Sequence, residues 1–227
     1  MKYTIFFLFL LMGVALPAHA HVPRVVTQES LHDNTPIEDP ELSQAFYGSL
    51  ADFPHTYEIR AEEPFHLYVE VLVPDIESVD NIVNGIVVRE TGQKGRVEEV
   101  ARLLAKDATW EAFYEPWGGD TYRKGAVFEK DLERGVYRIE VSTPDNRQKY
   151  VLVVGKREDS GGIGYFETIG RIADVKTFFG KSKIRVIESP LVYIPLLLSV
   201  LLVAGVWYWR RRKALLRTED SQLRINR

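Results

Sequence analysis

Between Trp110 and Gly125 the chain reads WEAFYEPWGGDTYRKG. The rings of Trp110, Phe113, Tyr114, Trp117 and Tyr122 stand among the carboxylates of Glu111, Glu115 and Asp120. These types support two kinds of chemistry. Rings beside carboxylates hold sugars by stacking and hydrogen bonding, and Glu115 with Asp120, around the Gly118-Gly119 pair, could offer oxygens to Ca2+. The same rings could instead cap the open end of a hydrophobic core, since aromatic side chains dominate burial. The candidate ligand-binding residues are therefore Trp110, Tyr114, Trp117, Asp120 and Tyr122, with a structural cap as the competing reading.

Histidine supplies a second possibility. Cleavage after Ala20 would leave His21 as the new N-terminus, where α-amine and imidazole together chelate Cu(II) in the plane it prefers. His55 and His66 are the candidate further ligands, as neighbours on consecutive strands. Periplasmic copper carriers and copper-dependent polysaccharide oxygenases resemble this in starting with His on a β-sandwich, but their other motifs do not occur here. Catalytic patterns are missing too. There is no Gly-x-Ser-x-Gly elbow, and the pairs Glu62-Glu63 and Glu98-Glu99 would point to opposite faces of a strand. SGGIGYFETIG fails as a dinucleotide fingerprint, because Glu167 occupies its third glycine position. The expectation is a non-enzyme with no cofactor, copper or calcium being the alternatives.

The two ends state where such residues would sit. Residues 1–20, MKYTIFFLFLLMGVALPAHA, combine one Lys, an apolar run and Ala18-His19-Ala20, the pattern of a signal peptide. Leu191 to Trp209 holds 19 residues without a charge, followed by Arg210, Arg211, Arg212 and Lys213. At about 1.5 Å per residue it covers roughly 28 Å, close to the hydrocarbon thickness. The basic cluster places the C-terminal side in the cytoplasm. The segment 21–209 carries 21 Lys/Arg and 30 Asp/Glu, a net charge of −9, which argues against nucleic acid as a partner. No Cys is present although the secretory route permits disulfides, so the external domain must rest on its core.

Between the ends the pattern is β. FHLYVEVLV puts Phe65, Leu67, Val69 and Val71 on one face, and HTYEIRA alternates likewise with Tyr57 and Ile59. GRVEEVARLLA fits strand or helix, with strand preferred. GVYRIEVSTPDNRQKYVLVV looks like a hairpin turning at Pro144-Asp145-Asn146. The Trp110–Gly125 stretch then falls in the longest irregular crossover. Seven or eight such strands predict an antiparallel β-sandwich or jelly roll. Near its end, Phe166, Ile169, Ile172, Ala173 and Val175, with Phe178 or Phe179, share one helical face, Arg171, Lys176 and Lys181 lying elsewhere. That predicts a juxtamembrane amphipathic helix, packed on the sandwich or lying on the membrane interface.

LERGVYRIEVSTPDNRQKYVLVVG, with the earlier strand FHLYVEVLVPD, resembles bacterial pre-peptidase C-terminal-type β-sandwich modules over roughly residues 57–155. The resemblance implies a jelly-roll-like accessory module that binds or positions something, and some modules of this type bind calcium. The expected organisation is a signal peptide (1–20), an extended lead-in (21–45) with a possible edge strand near Val22–Val26, and a β-sandwich (46–158). A juxtamembrane linker and helix (159–189), one transmembrane helix (190–209) and a basic cytoplasmic tail (210–227) follow. The expected function is a single-pass, membrane-anchored binding or assembly module outside the cytoplasmic membrane, with a protein partner in or at that membrane. Copper binding through His21 and carbohydrate binding through residues 110–122 are the alternatives.

Overall fold

Strict alternation of apolar and polar residues requires strands that bury one face each, and two stacked sheets satisfy that need. The computed structural model describes residues 22–92, 95–158 and 164–225. Among the described residues the strands, numbered along the chain, are β1 (Val22–Val26), β2 (Thr35–Ile37), β3 (Gln44–Ser49), β4 (His55–Ala61), β5 (Phe65–Pro74) and β6 (Asn84–Glu90). After them come β7 (Val97–Leu103), β8 (Glu111–Glu115), β9 (Asp120–Leu132), β10 (Gly135–Ser142) and β11 (Lys149–Val154). They form a six-stranded sheet in the order β1-β3-β11-β5-β9-β8 and a five-stranded sheet in the order β2-β4-β10-β6-β7.

The core lies between the sheets and follows the predicted faces. Phe65, Leu67, Val69, Val71 and Val73 of β5 meet Tyr57 and Ile59 of β4, Tyr137, Ile139 and Val141 of β10, and Tyr150, Leu152 and Val154 of β11, all buried. The 97–103 segment is a strand, paired antiparallel with β6.

Three features differ from the expectation. Strand β1 is the edge strand expected at Val22–Val26, but the lead-in enters the sandwich further, since β2 adds to β4, and both additions are parallel. Because the chain alternates between sheets from β1 to β4, strands two apart run the same way. The 135–154 segment is not a hairpin, since β10 and β11 belong to opposite sheets. Both strands carry an apolar face, and both faces must reach the same core, so the turn carries the chain from one sheet to the other. Asn146 takes a positive φ of 51° there, and its Oδ1 accepts from Thr143 N. The supposed crossover holds the hairpin instead: β8 and β9 pair in register from Glu111↔Lys124 to Glu115↔Asp120.

Helix α1 (Tyr165–Phe178) packs against the outer face of the six-stranded sheet. Val175, Phe178 and Phe179 join Ala45, Tyr47, Leu72, Tyr122, Val151 and Val153 in a second buried cluster. Each such burial contributes on the order of 1.5–3 kcal/mol. The helix is rotated from the predicted face: Phe166 is 86% exposed, while Lys176 is fully buried on the packed side. The unit so described runs to Val186; the residues from Ile187 onward belong to a second. There, α2 (Pro190–Ile225) continues beyond the expected span. Its Pro190–Lys213 portion, with mean hydropathy 2.2, is long and apolar enough to cross a membrane. Pro195 sits early in α2, and its carbonyl accepts from Ser199 Oγ at 2.8 Å.

Candidate functional site

The β8–β9 turn brings two carboxylates together. Glu115 and Asp120 face one another across the hairpin, and Gly119 N donates to the Glu115 carbonyl at 2.9 Å. Gly119 adopts φ 72°, a conformation open to glycine at little cost. The Glu115 side chain folds over this turn, accepting from Trp117 N at 2.8 Å and Gly118 N at 2.5 Å. A Cβ on Gly118 would lie 2.7 Å from Glu115 Oε2, so glycine makes room for that carboxylate. Burial pushes the Glu115 carboxyl up, against the pull of the two amides; neighbouring Asp120 raises it further and Lys176 lowers it.

Asp120 is almost fully buried, and its charge is met from α1. Lys176 Nζ lies 3.1 Å from Oδ2, with neither side chain exposed, and Lys181 Nζ lies 2.6 Å from Oδ1. The two lysines are brought together by the way α1 ends. Gly180 N donates to Thr177 O and Lys181 N to Lys176 O, with Gly180 at φ 71°. That is a Schellman motif, in which a left-handed glycine folds the chain back over the last turn. The fold-back delivers Lys181 to the same carboxylate as Lys176. Beside them Tyr122 and Tyr47 share a hydroxyl–hydroxyl hydrogen bond of 2.9 Å, and the Tyr122 ring meets Phe179 edge-on at 5.2 Å. Burial raises both phenols well above their ordinary range.

The remaining rings separate. Trp110 packs on the main core and donates Nε1–H to the Ala105 carbonyl at 2.8 Å. Gly125 lies beneath it: a Cβ there would meet Trp110 Cη2 at 2.7 Å. Phe113 leans on the second cluster with Lys124 Nζ 4.4 Å from its ring centre. Trp117 is half-buried, and Tyr114 alone of the five is exposed, at 59%. The five proposed residues thus share one hairpin and its approach without forming a single platform.

His55 and His66 are not neighbours, because β4 and β5 lie in different sheets. His55 is buried in the core, its Nδ1 2.8 Å from Tyr150 OH, which lies 2.6 Å from Tyr57 OH. Burial lowers its pKa. His66 is on the outer face of β5, Nδ1 2.6 Å from Asp131 and Nε2 2.9 Å from Glu129. Hydrogen bonds to Asp131 and then Glu129 raise its pKa. His21 lies outside the described residues. Among the described residues no group of three or more His, Cys, Asp or Glu is placed to hold a metal ion.

Sequence reasoning missed Lys176, Lys181 and Tyr47. A signal for the first was present: Ile172, Val175, Lys176 and Phe179 follow the i, i+3, i+4, i+7 spacing of one helical stripe. A lysine inside that stripe calls for a buried carboxylate.

No family model and no curated protein matches the chain. Among solved structures it is similar to the pre-peptidase C-terminal domain of collagenase from Bacillus anthracis, at 13% identity and a TM-score of 0.33, covering 54% of this chain and 93% of that one. It is also similar to CorA, a surface-associated copper-binding protein of Methylomicrobium album BG8, at 8% identity and a TM-score of 0.28, covering 54% and 96%. The fold itself is mainly β, with two sheets.

Proposed function

We infer that this chain is a non-catalytic binding or assembly module, held at the outer side of the cytoplasmic membrane by α2 and presenting a β-sandwich to a partner in or at that membrane. The observation that carries this reading is the engagement of the reactive-looking groups within the fold. Asp120 is held by Lys176 and Lys181, Glu115 by two backbone amides, and His55 by Tyr150. The two pairs on Asp120 join the β8–β9 hairpin to α1 and the turn that ends it. The tether between Lys181 and the start of α2 at Pro190 is residues 182–189. Anchoring on so short a tether raises the effective concentration of the sandwich for any partner on the same surface. Arg210 to Lys213, just past the apolar stretch, favour a cytoplasmic C-terminus.

The surface left for a partner includes strand β8, at the edge of the six-stranded sheet, where Tyr114 is exposed. An edge strand offers unpaired backbone groups, and an exposed tyrosine offers contact area at low entropic cost. A photo-crosslinking residue at Tyr114, with a control at exposed Phe166, tests the reading in intact membranes. A discrete adduct at Tyr114 that is absent at Phe166 is expected. Adducts at neither position, or equal smears at both, would contradict a partner-binding edge.

A further inference from the structure

We propose that Lys176 and Asp120 are joined by an intramolecular isopeptide bond, formed with the help of Glu115. The bond needs an amine and a carboxyl group shielded from water, with a second carboxyl beside them to move protons. The structure brings these together. Lys176 Nζ and Asp120 Oδ2 are 3.1 Å apart, and both side chains are 0% exposed. Their contact is close without being an aligned hydrogen bond, for Oδ2 has no hydrogen-bond partner. Lys176 Nζ donates instead to the Gly119 carbonyl at 3.4 Å, so the amine lies beside the carboxyl group without being held along its lone pair. Glu115 stands opposite Asp120 in the hairpin register, and directly paired cross-strand residues have Cβ atoms about 4.5–5.5 Å apart. Tyr47, Tyr122, Phe178 and Phe179 form the apolar wall.

In the first step one proton passes from Nζ to Asp120 Oδ2, giving a neutral amine and a carboxylic acid. The Nζ lone pair then attacks Cγ, forming the C–N bond and placing negative charge on Oδ1. Lys181 Nζ, 2.6 Å from Oδ1, is positioned to stabilise that oxyanion. Glu115 takes a proton from Nζ and delivers it to Oδ2, which already carries one. The C–Oδ2 bond breaks, water leaves, and Glu115 returns to its starting state. The balance is amine plus acid to amide plus water, with nothing oxidised or reduced. In a chain without cysteine, this staple would tie α1 to β9 as a disulfide does elsewhere.

Mass spectrometry of the full-length protein, extracted from membranes in detergent, tests the assignment. The intact chain is expected to be one water lighter than the mass implied by its own measured N-terminus. Proteolysis should yield a branched peptide joining the Asp120 and Lys176 segments, and Glu115→Gln and Lys176→Met variants should regain the water. Should a variant fail to fold, the wild-type peptide map decides alone. Separate Asp120 and Lys176 peptides at full mass overturn the proposal, as does a branch through Lys181.

Discussion

His55 and His66 differ by how their rings are surrounded, and that difference gives their pH dependence opposite signs. His55 is buried beside Tyr150, and burial depresses its pKa below the unfolded value of about 6.5. Above that pH the ring is neutral in both states and contributes nothing pH-dependent. Below it, the unfolded chain binds the proton first. Stability is therefore lost as pH falls towards the folded pKa, at up to about 1.4 kcal/mol per pH unit for one proton. Thermal melts between pH 7.5 and 5 should show this loss, and His55→Phe should flatten the slope while lowering stability through the lost Tyr150 hydrogen bond. A slope unchanged in His55→Phe would remove His55 from the account. His66 acts the other way. Asp131 and Glu129 raise its pKa, so any contribution is present at low pH and fades as pH rises through the folded value. The exposure of its side chain to solvent keeps that contribution small.

At the scale of elements, the β8–β9 hairpin is where the aromatic stretch is put to use. Trp110, at φ 52°, lays its ring over Gly125, where a Cβ would also lie 2.7 Å from the Val71 backbone oxygen. Ring movement alone cannot relieve that second clash. Gly125→Ala is expected to cost about 1–3 kcal/mol, as overpacking does, and to shift the tryptophan fluorescence. A variant with an unchanged melting temperature would show that the ring is not seated there. Strands were legible in the sequence wherever polar and apolar residues alternate, as in Phe65–Val73 and Tyr57–Ile59. Partner choice was not. Gly135–Val154 and Trp110–Gly125 were read with hairpin and crossover exchanged, because alternation marks the buried face of a strand without naming its sheet. Lys176 was misplaced for a related reason: burial of a lysine depends on Asp120, a partner more than fifty positions away.

The whole molecule combines a mainly β, two-sheet module with a helix fit to cross a membrane, and α1 is the last α-helix before that span. The apolar span and the aromatic stretch were visible in the sequence; the clamp between hairpin and helix came from the fold. Asp120, the buried carboxylate of the aromatic stretch, holds α1 to the sandwich through Lys176 and Lys181. Amide hydrogen exchange on the full chain in detergent, wild type against Lys176→Met, tests it most directly. Lys176→Met removes one of the two lysines on Asp120, and Lys181, still on Oδ1, should limit the loss. Faster exchange is expected across Tyr165–Phe178 and the β8–β9 turn, with β4, β5 and β10 still protected. Unchanged exchange in α1, or equal loss of protection throughout both sheets, would contradict the clamp.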